Sequence, residues 1–275
     1  MKELVFLKLG GSLITDKAHP NTLRRGTLPR LAREIAVVCR QNPDIQIIIG
    51  HGSGSFGHHA AKNHKTMDGV RTGEAWQGFA EVWLAARTLN QKVVEALTKA
   101  QLPVITFPGS AGITANQREI VSWDIGPLQA ALDAGLIPVV AGDVIFDQAM
   151  GGTILSTEDQ FYYLAQKLHP DRILIAGVEP GVWADYPDCT RIMDLITPQT
   201  HPALTAALQG SASADVTGGM ASKVERMIQL VTEEPYVKIC IFSGLQRGLI
   251  EQALAGNLPG TLIFNPSGGP DDFQP

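Results

Sequence analysis

Cysteine is scarce in this chain. Three thiols in 275 residues, Cys39, Cys189 and Cys240, are odd in number and far apart. That excludes a disulfide frame and a zinc site, and reads as ordinary buried thiols of a reducing cytoplasm. Positive charge is not in excess either: 22 lysines and arginines stand against 27 acids, a net charge of −5. A nucleic-acid binder would carry a basic face, so no nucleic-acid partner is expected, although the balance leaves room for a small basic pocket around an anion. No apolar run nears the roughly 18 residues that span a bilayer. Lys2, Glu3 and Lys8 lie in or beside a strand-like run and make no signal peptide, so a cytoplasmic protein without a membrane partner is expected. Long linkers, low-complexity tracts and internal repeats are missing as well, which argues for one compact unit over residues 1–266. Its N- and C-terminal lobes are placed at about 1–170 and 171–266. The closing PSGGPDDFQP has little to bury, so 267–275 are expected to fray.

What is present is an alternation. Hydrophobic residues make up 44% of the chain, enough over this length for a substantial core. Six short, nearly continuous apolar runs read as strands buried on both faces: LVFLKL (4–9), IQIIIG (45–50), PVITF (103–107), IPVVA (137–141), RILIAGV (172–178) and VKICIFS (237–243). Between them, 27–41, 73–100, 124–135, 159–168 and 219–233 have helical spacing. This predicts an α/β fold, a three-layer α/β/α sandwich on a mainly parallel sheet with right-handed crossovers. In VIFDQAMGGTIL (144–155), two apolar runs around Met150-Gly151-Gly152 predict a hairpin beside the main sheet.

Three glycine-rich segments could carry chemistry. The first strand ends in KLGGSLITDK (8–17). A lysine inside an apolar strand is costly to bury unpaired, and glycines let backbone N–H groups turn toward oxygens. Lys8, Gly10, Gly11, Ser12 and Lys17 thus suit a phosphate cradle, with a tight turn and surface lysines as the plain alternative. The second strand runs into GHGSGSFGHHA (50–60). Gly52, Gly54 and Gly57 satisfy the bare dinucleotide spacing, but no ribose-binding acid follows about 20 residues on, and a Walker A loop is missing too. AAKNH suggests that a helix begins at the far end of this loop, where free N–H groups favour phosphate and His58 could donate a further hydrogen bond. His51, His59 and His64 read as solvated loop histidines. The third segment, SADVTGGMASKVERM (213–227), leads through Asp215, Thr217, Gly218 and Gly219 into a helix. Thr217 is a plausible cap, and Lys223, one turn in, can swing back over the helix opening.

Taken together, KLGGSLITDK, HGSGSFGH, GDVIFD and DVTGGMASK resemble the amino acid kinase family, and within it the isopentenyl phosphate kinase branch, over nearly the whole chain. The resemblance implies ATP-dependent phosphorylation of isopentenyl phosphate to isopentenyl diphosphate with Mg²⁺, in a homodimer. The N-lobe would bind the acceptor and the C-lobe the nucleotide. Lys8, Gly10, Gly11, Ser12 and Gly54 would meet the ATP phosphates. Lys17 and Lys223 would flank the transferring group, with Gly219 near the nucleotide. Gly52, Ser53 and His58 would hold the acceptor phosphate, and Asp143 would orient the lysines; no protein metal ligand is assigned. Two segments depart from the family. Gly177-Val178-Glu179-Pro180-Gly181 replaces Thr-Asp-Val-Asp-Gly near the nucleotide, leaving Val178 as the contact there. Ser156-Thr157-Glu158-Asp159 replaces Ser-Gly-Asp-Asp, placing Thr157 near the acceptor.

Trp76, Phe79, Val82, Trp83 and Ala86, spaced by three or four on one helix face, are expected in part to wall the hydrocarbon tail, with Phe79 and Trp83 limiting its length. Another kinase of the family, such as a fosfomycin kinase, and a non-catalytic nucleotide- or anion-binding protein stay open as alternatives.

Overall fold

The computed structural model of the chain describes residues 2–202 and 219–268. Its first strand, β1 (Leu4–Leu9), is buried along its whole length. Val5, Leu7 and Leu9 join one apolar cluster, while Leu4 and Phe6 join another, because successive residues of a strand face opposite sides. Lys8 falls on the Phe6 side, and this alternation decides which helix it meets.

Along the chain follow α1 (Gly11–Ile14), α2 (Thr27–Gln41), β2 (Gln46–His51), α3 (Gly54–His64), α4 (Gly73–Lys99), β3 (Val104–Thr106) and α5 (Gly109–Gly112). Next come β4 (Ile113–Asn116), β5 (Glu119–Trp123), α6 (Gly126–Asp133), β6 (Ile137–Ala141), β7 (Asp143–Asp147), β8 (Gly151–Leu155) and α7 (Thr157–Leu168). The last are β9 (Arg172–Gly177), β10 (Leu195–Ile196), α8 (Gly219–Glu233), β11 (Lys238–Ser243), α9 (Leu249–Leu254) and β12 (Thr261–Ile263). Eight strands form one sheet in the order β10-β12-β11-β9-β1-β2-β6-β3, parallel save for the antiparallel β11–β12 pair. Helices α2, α4 and α9 cover the Leu7 face, and α6, α7 and α8 the Phe6 face. This is the expected three-layer sandwich, with both faces of a mainly parallel sheet buried.

A second sheet, β5-β4-β7-β8, contains the expected hairpin, with β7 and β8 antiparallel. Its glycines fall in β8 and not in the turn. Gly151 sits at φ +77°, and a Cβ there would lie 2.1 Å from the Val70 carbonyl, so a side chain is excluded. β4 and β5 were not expected. The chain turns between them through Gln117 and Arg118 at φ +51° and +68° without a glycine, because the Asp147 carboxylate accepts both amides, at 3.1 and 2.8 Å. All three cysteines are free thiols, but only Cys240 is buried as expected, Cys39 and Cys189 being partly exposed; burial pushes Cys240 up to about 12. No helix among the described residues is long and apolar enough to cross a membrane. Asp215, Thr217, Gly218 and the tail beyond 268 lie outside the described residues.

Candidate active site

β1 and β2 are neighbours with Lys8 opposite Gly50 and Leu9 opposite His51. The two glycine turns that follow them emerge side by side at the C-terminal edge of the sheet, where open α/β sheets bind ligands. They touch. A Cβ on Gly11 would lie 2.6 Å from the Gly54 nitrogen, and one on Gly52 would lie 2.9 Å from the Gly11 nitrogen. Both opposing atoms are backbone and cannot rotate aside. Gly11→Ala is therefore expected to force the turns apart, costing about 1–3 kcal/mol by overpacking; denaturant titration would check it.

The helix expected to begin near Ala60 begins at Gly54 instead, with Ser53 as its cap residue. Gly-Ser-Phe-Gly has poor helix propensity, but tertiary contacts override it: Thr15 Oγ1 accepts the Ser55 N–H at 2.9 Å and Phe56 is buried. The glycine loop is thus largely the first turn of α3, whose leading N–H groups have no intrahelical carbonyl, and half-buried His58 lies one turn in. His51 is no loop histidine. It ends β2 and is wholly buried, whereas His59 is exposed and His64 pairs with Glu81 at 2.8 Å.

The lysine in β1 has its partner on α7. Lys8 forms an ion pair with Glu158, both nearly inaccessible to solvent. Burial alone would raise the Glu158 carboxyl, but Lys8 and then Lys223 hold it below its ordinary value. Glu158 stands in the first turn of α7, which Ser156 and Asp159 close with a reciprocal capping box. Next to it, Thr157 donates to the His51 carbonyl at 2.7 Å, tying the start of α7 to the end of β2.

These elements border one cavity of about 470 Å³. Of the residues singled out from the sequence, Lys8, Gly10, Gly11, Ser12, Lys17, Val178 and Lys223 line it together with Gly52, Ser53, His58, Asp143 and Thr157. Four do not. Gly54, at φ +51°, packs behind the lining against Thr15, and Gly219 opens α8 at φ +69°. Phe79 turns away into an aromatic cluster, its ring 5.2 Å from Trp76 and 5.4 Å from Phe146. Trp83 is partly exposed and donates from Nε1 to Ser110 Oγ at 3.2 Å. The apolar wall instead comes from Val82 and Ala86 of the same helix stripe, with Ala61, Val144 and Ile154.

Asp143 reaches the cavity, but its oxygens accept from Ser110 Oγ at 2.8 Å, the Ser110 amide at 3.2 Å and the Val144 amide at 2.9 Å. Burial raises its carboxyl above the ordinary range despite those bonds. The carboxylate that meets Lys8 is Glu158, which sequence reasoning passed over. Arg24 was also missed: it lines the cavity and donates to the Ser12 carbonyl at 3.1 Å. On the opposite side Trp183 and Tyr186 form a further wall, the indole anchored on Glu179 at 2.8 Å.

Two glycine turns at the edge of a parallel sheet, opening on a cavity lined by lysines, a histidine, an arginine and a set of apolar side chains, suit a kinase of small molecules. The chain belongs to the amino acid kinase family, whose model matches residues 3–243. It is 32% identical over 266 residues to the isopentenyl phosphate kinase of Methanocaldococcus jannaschii, covering 94% of this chain and 98% of that one. Identity to the isopentenyl phosphate kinase of Haloferax volcanii is 36% over 234 residues, 82% and 88% of the two chains. A solved isopentenyl phosphate kinase structure superposes with a TM-score of 0.80 at 29% identity, covering 95% of this chain and all of that one.

Proposed function

We propose that this protein transfers the γ-phosphoryl group of ATP to isopentenyl phosphate, giving isopentenyl diphosphate and ADP. The observation that carries the reading is the single cavity in which the Lys8–Glu158 pair and Lys223 share space with Gly52, Ser53 and His58, with an apolar end beside them. Kinship with enzymes named isopentenyl phosphate kinase supports the choice of acceptor. An oxygen of the acceptor phosphate attacks the γ-phosphorus in line as the bond to the β,γ-bridging oxygen breaks and ADP leaves. That oxygen is already ionised, so no general base is needed. The protein's work is to hold two anions together and offset their repulsion.

Lys8, Gly10, Gly11 and Ser12 meet the nucleotide phosphates, Lys17 and Lys223 flank the moving group, and Gly52, Ser53 and His58 take the acceptor phosphate. Val178, Trp183 and Tyr186 border the adenosine. Among the described residues no three His, Cys, Asp or Glu side chains gather as a metal site. Mg²⁺ would then be carried chiefly by phosphate oxygens, as such ions are in nucleotide enzymes, and would supply charge neutralisation at the phosphates. The same reading divides the chain near 170 into acceptor and nucleotide lobes and takes the enzyme as a cytoplasmic homodimer.

A coupled ADP-release assay with isopentenyl phosphate, dimethylallyl phosphate and fosfomycin in parallel tests the assignment. Isopentenyl phosphate is expected to be used best, and absence of ADP release with either phosphate monoester would reject it. Chain-length selection should respond to Val82→Ala and Ile154→Ala, which lengthen the apolar end, by about fourfold in relative kcat/KM per accommodated methylene. Trp83→Ala should leave selection as it is.

A further inference from the structure

The end of β2 carries a group the transfer reaction does not itself use. His51 is wholly buried on the α4 side of the sheet, in contact with Asn90. Its ring nitrogens can be assigned from the far end of the network. Arg87 is a donor and cannot accept, and its Nη2 lies 2.6 Å from Asn90 Oδ1. Thr106 Oγ1 donates to the same oxygen at 3.1 Å. Asn90 must then turn its NH₂ toward His51, where Nδ2 stands 3.0 Å from Nε2. Nε2 therefore accepts, the proton sits on Nδ1, and Nδ1–H donates to the Gly52 carbonyl at 3.1 Å. Burial lowers the imidazole pKa to about 4, so the neutral ring with one N–H persists at neutral pH.

That last bond orients a peptide. In a planar trans peptide the C=O and the following N–H point in opposite directions. With the Gly52 carbonyl turned toward His51, the Ser53 N–H faces the other way, toward the cavity that Gly52 and Ser53 line. The backbone of His51 is fixed independently, its carbonyl accepting from Thr157 Oγ1 at 2.7 Å and the Gly142 amide at 3.1 Å. A change confined to the ring therefore acts through the Gly52 carbonyl.

We propose that His51, backed by Asn90 and Arg87, is a positioning residue for the acceptor phosphate: it fixes the Gly52–Ser53 peptide so that the Ser53 N–H is presented to that anion. The proposal rests on the assignment of the acceptor phosphate to the second glycine turn. The buried relay bears first on the acceptor, because it bonds the Gly52–Ser53 peptide directly, whereas the first glycine turn, though it touches Gly52, has an anchor of its own in the Gly10 amide on the Ala176 carbonyl at 2.8 Å.

The experiment is steady-state kinetics of the full chain with ATP and isopentenyl phosphate, with calorimetric titration of isopentenyl phosphate alone. His51→Phe keeps a ring in the slot and removes both nitrogens. His51→Asn keeps an N–H near the place of Nδ1. Asn90→Leu attacks the relay from behind and carries the test if His51→Phe fails to fold. Loss of one oriented donor predicts a roughly tenfold rise in acceptor KM and Kd for His51→Phe, a smaller rise for Asn90→Leu, and an ATP KM within about twofold of wild type. His51→Asn should recover most of the acceptor affinity. The role is overturned if acceptor and ATP constants rise together, if the acceptor constants do not move, or if His51→Asn is as impaired as His51→Phe. Wild-type protein that turns over no isopentenyl phosphate would instead overturn the functional reading beneath the proposal.

Discussion

His58→Ala is expected to lower kcat/KM for isopentenyl phosphate about 10²- to 10³-fold, the range seen when one fixed donor to a reacting anion is removed. The side chain lies one turn into α3 and lines the cavity beside Gly52 and Ser53. On the proposed assignment it would add a donor to the amides at the helix start, a place that favours negative charge. In the proposed role it serves the acceptor, so the ATP KM should hold while acceptor turnover collapses. His58→Gln, which keeps an N–H donor, should recover part of the loss. A folded His58→Ala enzyme with near wild-type turnover would rule out the assigned role.

Lys8→Met is expected to cost both activity and stability. Lys8 and Glu158 are a buried pair, and removing one partner leaves a carboxylate without compensation, at 3–5 kcal/mol in comparable cases. About 3 kcal/mol is the better figure here, because Lys223 still acts on Glu158. Activity should fall by at least about 10²-fold through loss of the cation proposed to meet the nucleotide phosphates. The pH dependence separates the two effects. In the wild type the Glu158 pKa is lowered in the fold, so its stabilisation is present above the ordinary value of 4.5 and is lost as pH falls through the lower folded value. In Lys8→Met, burial would dominate and raise the carboxyl, so protonation relieves the penalty as the solution is acidified. The stability gap, read by urea titration, should be widest near neutrality and shrink toward pH 4; a gap that stays constant would show that the pair is not its source.

Much of the scaffold was legible because burial on both faces writes continuous apolar runs. All six expected strands are present, although β3, at the edge of the sheet, is not buried as expected and leaves Ile105 exposed; the helix expected over 27–41 spans Thr27–Gln41. β4 and β5 were invisible because their turn is shaped by a carboxylate some 30 residues away and contains no glycine. The start of α3 was misplaced because Gly-Ser-Phe-Gly becomes helical through contacts with Thr15 and a buried phenylalanine. At the site, the cations were legible because a lysine in an apolar strand demands a counter-charge, but the sequence could not say where that charge lies. Glu158 hides inside Ser-Thr-Glu-Asp, which reads as a helix start. The stripe on α4 gave the right face and the wrong depth: periodicity cannot tell that Val82 and Ala86 reach the cavity while Phe79 and Trp83 bond elsewhere. His51 looked solvated among glycines because nothing local reports that Asn90 stands behind it.

Because the two turns grow from adjacent, hydrogen-bonded strands, which lie about 4.8 Å apart, their placement relative to each other is set by the buried sheet. The far wall, built from Val82, Ala86, Val144 and Ile154, can change shape without resetting that gauge. On the proposed assignment, small edits to that wall would change which acceptor is held while the two glycine turns keep their places.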